Sequence, residues 1–198
     1  MPERLIHRTG PRIAAIGGGT GLSTMLRGLK TVTRDVTAIV TVADNGGGSG
    51  VLRQELGMPP PGDIRNCLQA LANTEPIMEA LLSYRFREGG LRGQSFGNLF
   101  LAALTDMCGS FEAAVRRMSD VLAITGRVLP VTTADVQLVA AFDDGASVTG
   151  ECEIAEYKKS SQARILRVTT LPERPAALPE CLEAIRRADL ILLGPGSL

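Results

Sequence analysis

The sequence predicts an α/β fold built on a parallel sheet, and three observations carry that reading. Two apolar, strand-like runs, 12–16 and 38–43, each lead into a glycine-rich loop, Gly17-Gly18-Gly19-Thr20-Gly21 and Asp44-Asn45-Gly46-Gly47-Gly48-Ser49-Gly50. Between them, Leu22, Met25, Leu26 and Leu29 recur at helical spacing. A strand–helix–strand unit of this kind places its strands parallel, with a right-handed crossover. Loops at the strand carboxyl ends then gather on one sheet edge, where ligands bind. The two loops hold 8 of the 22 glycines. Glycine costs backbone entropy, so clustering it there points to close approach of the backbone to a ligand.

The remaining elements follow in order. Residues 1–11 read as a polar lead-in, and Thr20 is placed to cap a first helix running to about Lys30. After the second loop the pattern turns helical over about 51–122: a short helix over 51–56 closed by Gly57, then the breaker Met58-Pro59-Pro60-Pro61-Gly62. Asp63 stands at an N-cap position ahead of Ile64, Cys67, Leu68 and Leu71, and Pro76 falls in the first turn of the next helix. The 99–107 run is apolar nearly all round, which predicts a centrally buried helix, and Ser110 caps the 111–122 helix. Strand character returns at 127–131. Runs 136–142 and 147–154 flank the turn Asp143-Asp144-Gly145 as a hairpin, with Lys158-Lys159 in a solvated loop beyond it. A strand over 165–171, a helix over 178–188 and a short, fully buried strand over 190–193 complete the pattern. A buried parallel strand is ordinarily covered by a following helix, and none follows here. The expectation is a fragment of a longer protein, or cover supplied by another chain.

Composition narrows the function. Hydrophobic residues make up 44% of the 198, enough for a sizeable core in one large domain. The formal net charge is zero and aromatics are only 4%, which argues against general nucleic-acid binding and base stacking. No signal-peptide core or membrane-length apolar run occurs, so the chain reads as soluble and cytoplasmic, without a membrane partner. Cys67, Cys108, Cys152 and Cys181 are far apart and read as reduced, mostly buried thiols. The single histidine, His7, lies in the lead-in, so a histidine-based nucleophilic machine or metal site is not indicated, and no catalytic residue is assigned.

The candidate site rests on the loops. Glycine amides at a helix N-terminus form anion-binding geometry, which brings in Gly18, Gly19, Thr20 and Gly21. Leu22 stands where the third glycine of a dinucleotide fingerprint belongs, and no P-loop Lys-Ser/Thr follows, so a conventional NAD or ATP site is not indicated. Asp44 faces a ribose, holds a divalent cation beside phosphates, or opens the loop as an Asx-turn. Asn45 and Ser49, on either side of Gly46 and Gly47, add polar groups that line a site or satisfy the loop's own backbone. Asp63, Arg65 and Asn66 form a third cluster, suited to metal and phosphate together or to plain capping. Asn98 opens a buried helix and needs a partner, either a ligand or a local cap. Gly196 and Ser197 form a third glycine loop after a third strand.

Taken together, GGGTGL at 17–22, VADNGGGSG at 42–50, PPGDIRN at 60–66, SFGNLFLAAL at 95–104, GRVLPVT at 126–132 and GPGSL at 194–198 resemble the YvcK/CofD-like family. This family includes gluconeogenesis factors and the enzyme 2-phospho-L-lactate transferase, and the stretches around 148–151 and 183–186 look more like the former branch. The resemblance implies a Rossmann-like three-layer α/β/α fold with a mostly parallel sheet and a helical insertion, as one domain over 1–198 that is truncated at its C-terminus. It also implies UDP-N-acetylglucosamine as a nucleotide-sugar ligand and a regulatory role linking carbon metabolism to cell-wall precursor supply and cell shape. Carried over by motif, 18–22, 44–49, Asp63, Asn66, Asn98, Gly196 and Ser197 surround the nucleotide. No resident cofactor is required on this reading. Mg²⁺ is the candidate ion, at Asp44 and Asp63, although Asn45 replaces an acid more common in the family. A regulatory protein partner and a homodimer are in keeping with the family. The alternatives are a Mg²⁺-dependent transferase of a phosphorus-containing group, an NAD-type protein, and an interaction scaffold.

Overall fold

The structure, a computed structural model, describes residues 10–195. Its central sheet has four parallel strands in the order β3-β2-β1-β7: β1 (Ile13–Gly17), β2 (Val36–Val40), β3 (Arg127–Pro130) and β7 (Leu190–Leu193). Alternation along each strand sends residues to opposite faces. Ile13, Ala15, Val36, Ala38, Val40 and Val128 face one core, together with Leu22 and Leu26 of helix α1 (Gly19–Leu29) and Leu68 and Leu71 of α3 (Gly62–Leu71). Ile39 and Leu129 face the other core, against Cys181 and Ala184 of α8 (Pro179–Arg187). Helices therefore cover both sheet faces, as the sequence predicts.

Between β2 and β3 the chain is helical from 47 to 121, slightly more than the expected 51–122. It comprises α2 (Gly47–Leu56), α3, α4 (Pro76–Ser83), α5 (Phe96–Cys108) and α6 (Phe111–Val121), with a 3₁₀ turn at Gly89–Leu91. Pro76 and Ser110 do what was expected of them. Pro76 occupies the first turn of α4, and the Ser110 hydroxyl accepts the Ala113 N–H at 3.2 Å. A second, antiparallel sheet, β5-β4-β6, is formed by β4 (Gln137–Phe142), β5 (Ser147–Thr149) and β6 (Ile165–Leu171), with Phe142 and Ala140 packed on Ile154 of α7 (Glu151–Ser161).

Several boundaries differ from expectation, each for a physical reason. Strand β2 ends at Val40 rather than Ala43, and its glycine loop is largely helix, since α2 begins at Gly47. Thr20 does not cap α1: Gly18 holds the N-cap position without a side-chain bond, and Thr20 lies in the first turn. Pro61 likewise takes the N-cap of α3, leaving Asp63 inside the first turn. The second hairpin strand stops at Thr149 because Gly150, at φ +104°, breaks the ladder. Residues read as strand then start α7, with Glu151 and Glu153 in its first turn and Lys158 and Lys159 in its last, matching the helix dipole. The lysine pair is thus exposed on a helix rather than in a loop. Helix α5 is buried on one side only, with Met107 79% exposed. Strand β7 lies at the sheet edge and is not fully buried, with Leu193 79% exposed. Of the cysteines, all free, Cys67 and Cys181 are buried while Cys152 is exposed. The expected lead-in, including His7, lies mainly outside the described residues.

Leu68, fully buried where α3 meets α1 and the sheet, tests this packing. Leu68→Ala is expected to lower unfolding free energy by about 2–5 kcal/mol, read from urea denaturation. A loss within experimental error would mean that α3 does not carry the core.

Candidate functional site

The site lies at the carboxyl ends of β1 and β2, where α1, α2, α3 and α7 all begin. The Asp63 carboxylate packs against Gly19, whose backbone N–H favours its charged form. A side chain at Gly19 would overlap that carboxylate and crowd Asn66 Nδ2 at 3.1 Å, and one at Gly18 would touch both Asp63 Oδ2 and Thr41 Oγ1 at 3.3 Å. The first glycine loop is therefore moulded around an acidic side chain from α3. Asp63, rather than an outside anion, meets the positive end of α1.

The second loop is built differently. Asp44 Oδ1 accepts the N–H of Gly46 at 2.8 Å, an Asx-turn. Helix α2 then starts with Gly46 at its N-cap, no side-chain cap and no acid in its first turn. Among the described residues, the N–H groups of Gly47, Gly48 and Ser49 have no acceptor. Uncapped amides at a helix N-terminus form an anion cradle. Behind the cradle lies the first turn of α5. Asn98 is 3% exposed, its Nδ2 lies 3.5 Å from Ser49 Oγ, and its Oδ1 has no partner among the described residues. Its backbone N–H is capped by Ser95 Oγ at 3.1 Å, so the local-cap reading holds for the backbone and leaves the side-chain oxygen open. Gln94 Oε1, buried beside Gly48, is likewise unpartnered.

Asn45 points away from the cradle, to α7. Its Oδ1 accepts the Cys152 N–H at 3.0 Å and its Nδ2 donates to Glu153 Oε2 at 2.6 Å. This latch sets Glu151 beside the site. Burial raises the Asp63 pKa, Asp44 raises it further, and the Gly19 bond and Arg65 partly offset the rise. Burial also raises that of Glu151, with Asp44 and Asp63 adding to it. The Cys152 thiol is pushed up by burial and then by Asp44, Glu153 and Glu151. Asp44, Asp63 and Glu151 thus share one negative field.

The structure brings together 18–19, Asp44, Gly46, Ser49, Asp63, Asn66 and Asn98. Thr20, Gly21 and Leu22 continue into α1, where Leu22 is core rather than site. Gly47 starts α2, while Gly196 and Ser197 lie outside the described residues. Sequence reasoning missed Glu151, because the 147–154 run alternates like a strand; Gly150 was the signal that the strand stops.

Relatives agree with this architecture. The model of the family described as 2-phospho-L-lactate transferase CofD matches residues 13–198. The chain belongs to the CofD family. Within it, the chain is 55% identical to the gluconeogenesis factor of Bacillus subtilis, over 95% of this chain and 58% of that protein. It is 50% identical to the gluconeogenesis factor of Halalkalibacterium halodurans, over 94% of this chain and 57% of that one. A crystal structure of a Bacillus halodurans protein superposes with a TM-score of 0.89 at 48% identity, over 95% of this chain and 60% of the other. The chain thus spans less than two thirds of the length of these CofD-family relatives.

The raised carboxyls predict a pH dependence. A group whose pKa is higher folded than unfolded stabilises the fold fully below its unfolded value, and that contribution is lost as pH rises through its folded value. For Asp63 and Glu151 the window opens at the ordinary values of 3.8 and 4.5 and extends upward. Asp63→Asn keeps an oxygen for Gly19 without the charge. Its urea midpoint is expected to fall less than the parent's between about pH 4 and pH 7. Equal slopes would show that Asp63 is not the group under strain.

Proposed function

We propose that this chain is the nucleotide-sugar-binding part of a regulatory protein of the gluconeogenesis-factor type. On this reading it binds UDP-N-acetylglucosamine and acts in the cytoplasm, linking carbon metabolism to cell-wall precursor supply and cell shape. The uncapped N-terminus of α2 is the observation that carries the reading. Three glycine-spaced amides without an acceptor suit a diphosphate, and the open oxygens of Asn98 and Gln94 suit the hydroxyl and amide donors of a sugar. The names of the relatives support the regulatory role. A regulatory protein partner and a homodimer belong to this proposal.

Mg²⁺ fits as a shared rather than a resident ion. Among the described residues no three acid, histidine or cysteine side chains form a closed cage. Mg²⁺ is commonly held by one or two carboxylates together with substrate phosphates. Asp44 and Asp63 are the side chains that would hold it, and it would offset phosphate charge next to their own.

A transferase remains the second reading, favoured by the acid pair Asp44 and Asp63 beside a phosphate cradle and by the family description. The two are separated by thermal unfolding of the full-length protein with UDP-N-acetylglucosamine, UDP-glucose, GTP or NAD at about 1 mM, with and without Mg²⁺. A ligand at about 100 times its Kd stabilises by about 2.7 kcal/mol. A shift with the UDP-sugar that Ser49→Asp abolishes, through a negative charge in the cradle, is the expected result. A Mg²⁺-dependent shift with GTP alone would favour the transferase, and no UDP-sugar shift would overturn the regulator.

A further inference from the structure

The geometry points to a second anion site in the groove between α1 and α3, one that takes the phosphoryl group of a small phosphorylated metabolite. The groove has a volume of about 200 Å³ and is lined by Thr20 and Arg27 of α1, Arg65, Asn66 and Gln69 of α3, and Ser83 at the end of α4, among others. No lining residue is acidic.

Arg65 is the second, independent observation. It is only 9% exposed, and its Nε has no partner among the described residues. Its other contacts are neutral oxygens: Nη2 donates to Asn66 Oδ1 at 2.7 Å and Nη1 to Leu82 O at 3.4 Å. No carboxylate lies within ion-pair distance of it among the described residues. Burial and the nearby charge of Arg85 lower its pKa, with Asp63 the opposing influence. Its stem packs on Gly97 in the first turn of α5, so a helix N-terminus adds positive potential. A buried, uncompensated guanidinium is costly unless a counter-anion arrives.

The rest of the groove supplies what such an anion needs. Arg27 is exposed and unpaired among the described residues, one turn along α1 from Ser23 and on the same face as Thr20. Gln69 Nε2 donates to Ser83 Oγ at 2.5 Å, which fixes that hydroxyl at the groove wall. Guanidinium groups with hydroxyls between them bind phosphate by charge-assisted hydrogen bonds. Asn66 borders the groove, with its oxygen on Arg65 and its nitrogen facing Gly19. The phosphoryl site is therefore distinct from the α2 cradle, and Asn66 joins it to the first glycine loop.

The test is calorimetric titration of the full-length protein with inorganic phosphate at constant ionic strength, alongside UDP-N-acetylglucosamine. Phosphate is expected to bind, Arg27→Glu to weaken it at least tenfold, and Arg27→Lys to stay within threefold, while UDP-sugar binding persists in both. Arg65→Gln, checked for folding by circular dichroism, is expected to lose phosphate binding as well. Equal phosphate affinity in the parent and Arg27→Glu would overturn the proposal, as would phosphate that merely competes with the UDP-sugar and ignores Arg27. UDP-sugar binding without phosphate binding would overturn this site and leave the proposed function standing. Arg27-dependent phosphate binding without UDP-sugar binding would do the reverse.

Discussion

The seating of one carboxylate, Asp63, against the backbone of the first glycine loop organises the site. The close packing of that carboxylate on Gly19 ties α3 to the β1–α1 junction. The two helices then share a core through Leu22, Leu26 and Leu68. Gly18 and Gly19 face this contact, and a side chain at Gly19 would displace the acid. A motif that looks like a phosphate loop is here already filled by an internal anion. That moves the open anion cradle to the start of α2, where the amides have no internal acceptor.

The second loop divides its side chains between two tasks. Asp44 closes its own turn onto Gly46, while Asn45 reaches out to cap α7 at Cys152 and hold Glu153. Through that latch the antiparallel sheet and its helix are registered on the parallel one, and Glu151 enters the field of Asp44 and Asp63. An acid at position 45 would accept from the Cys152 N–H but face Glu153 as a like charge. An amide, which donates and accepts at once, satisfies both partners.

Much of this was legible in the sequence. The parallel strands, the helical stretch between β2 and β3 and the hairpin turn follow from periodicity and turn chemistry, which are local. Loops and helix starts singled out Asp44, Asp63, Asn66 and Asn98 one by one, and the family resemblance grouped them around one ligand. What failed depended on partners far along the chain. Thr20 and Asp63 have the chemistry of caps, yet capping preference cannot register that Asp63 is claimed by Gly19, 44 residues earlier. Glu151 alternates like a strand residue, and only Gly150 separates it from one. The exposure of β7 could not be read from its composition, because four apolar residues look the same at a sheet edge as at its centre.

Charge in this molecule is segregated rather than cancelled. Asp44, Asp63 and Glu151 lie together, where burial and then Asp44 raise the Asp63 pKa, and burial, Asp44 and Asp63 raise that of Glu151. Arg65 and Arg27 line the groove instead, with Arg65 buried and beyond ion-pair distance of Asp63. A domain selected for stability alone would bring the buried acid and the buried guanidinium together, because an unpaired buried charge is among the costlier features a fold can carry. Holding them apart leaves both partly unsatisfied. Asn66 is the spacer, turning its oxygen to Arg65 and its nitrogen to the glycine loop. Stability is surrendered at binding sites where a ligand can restore it, so the separation supports the two proposed sites.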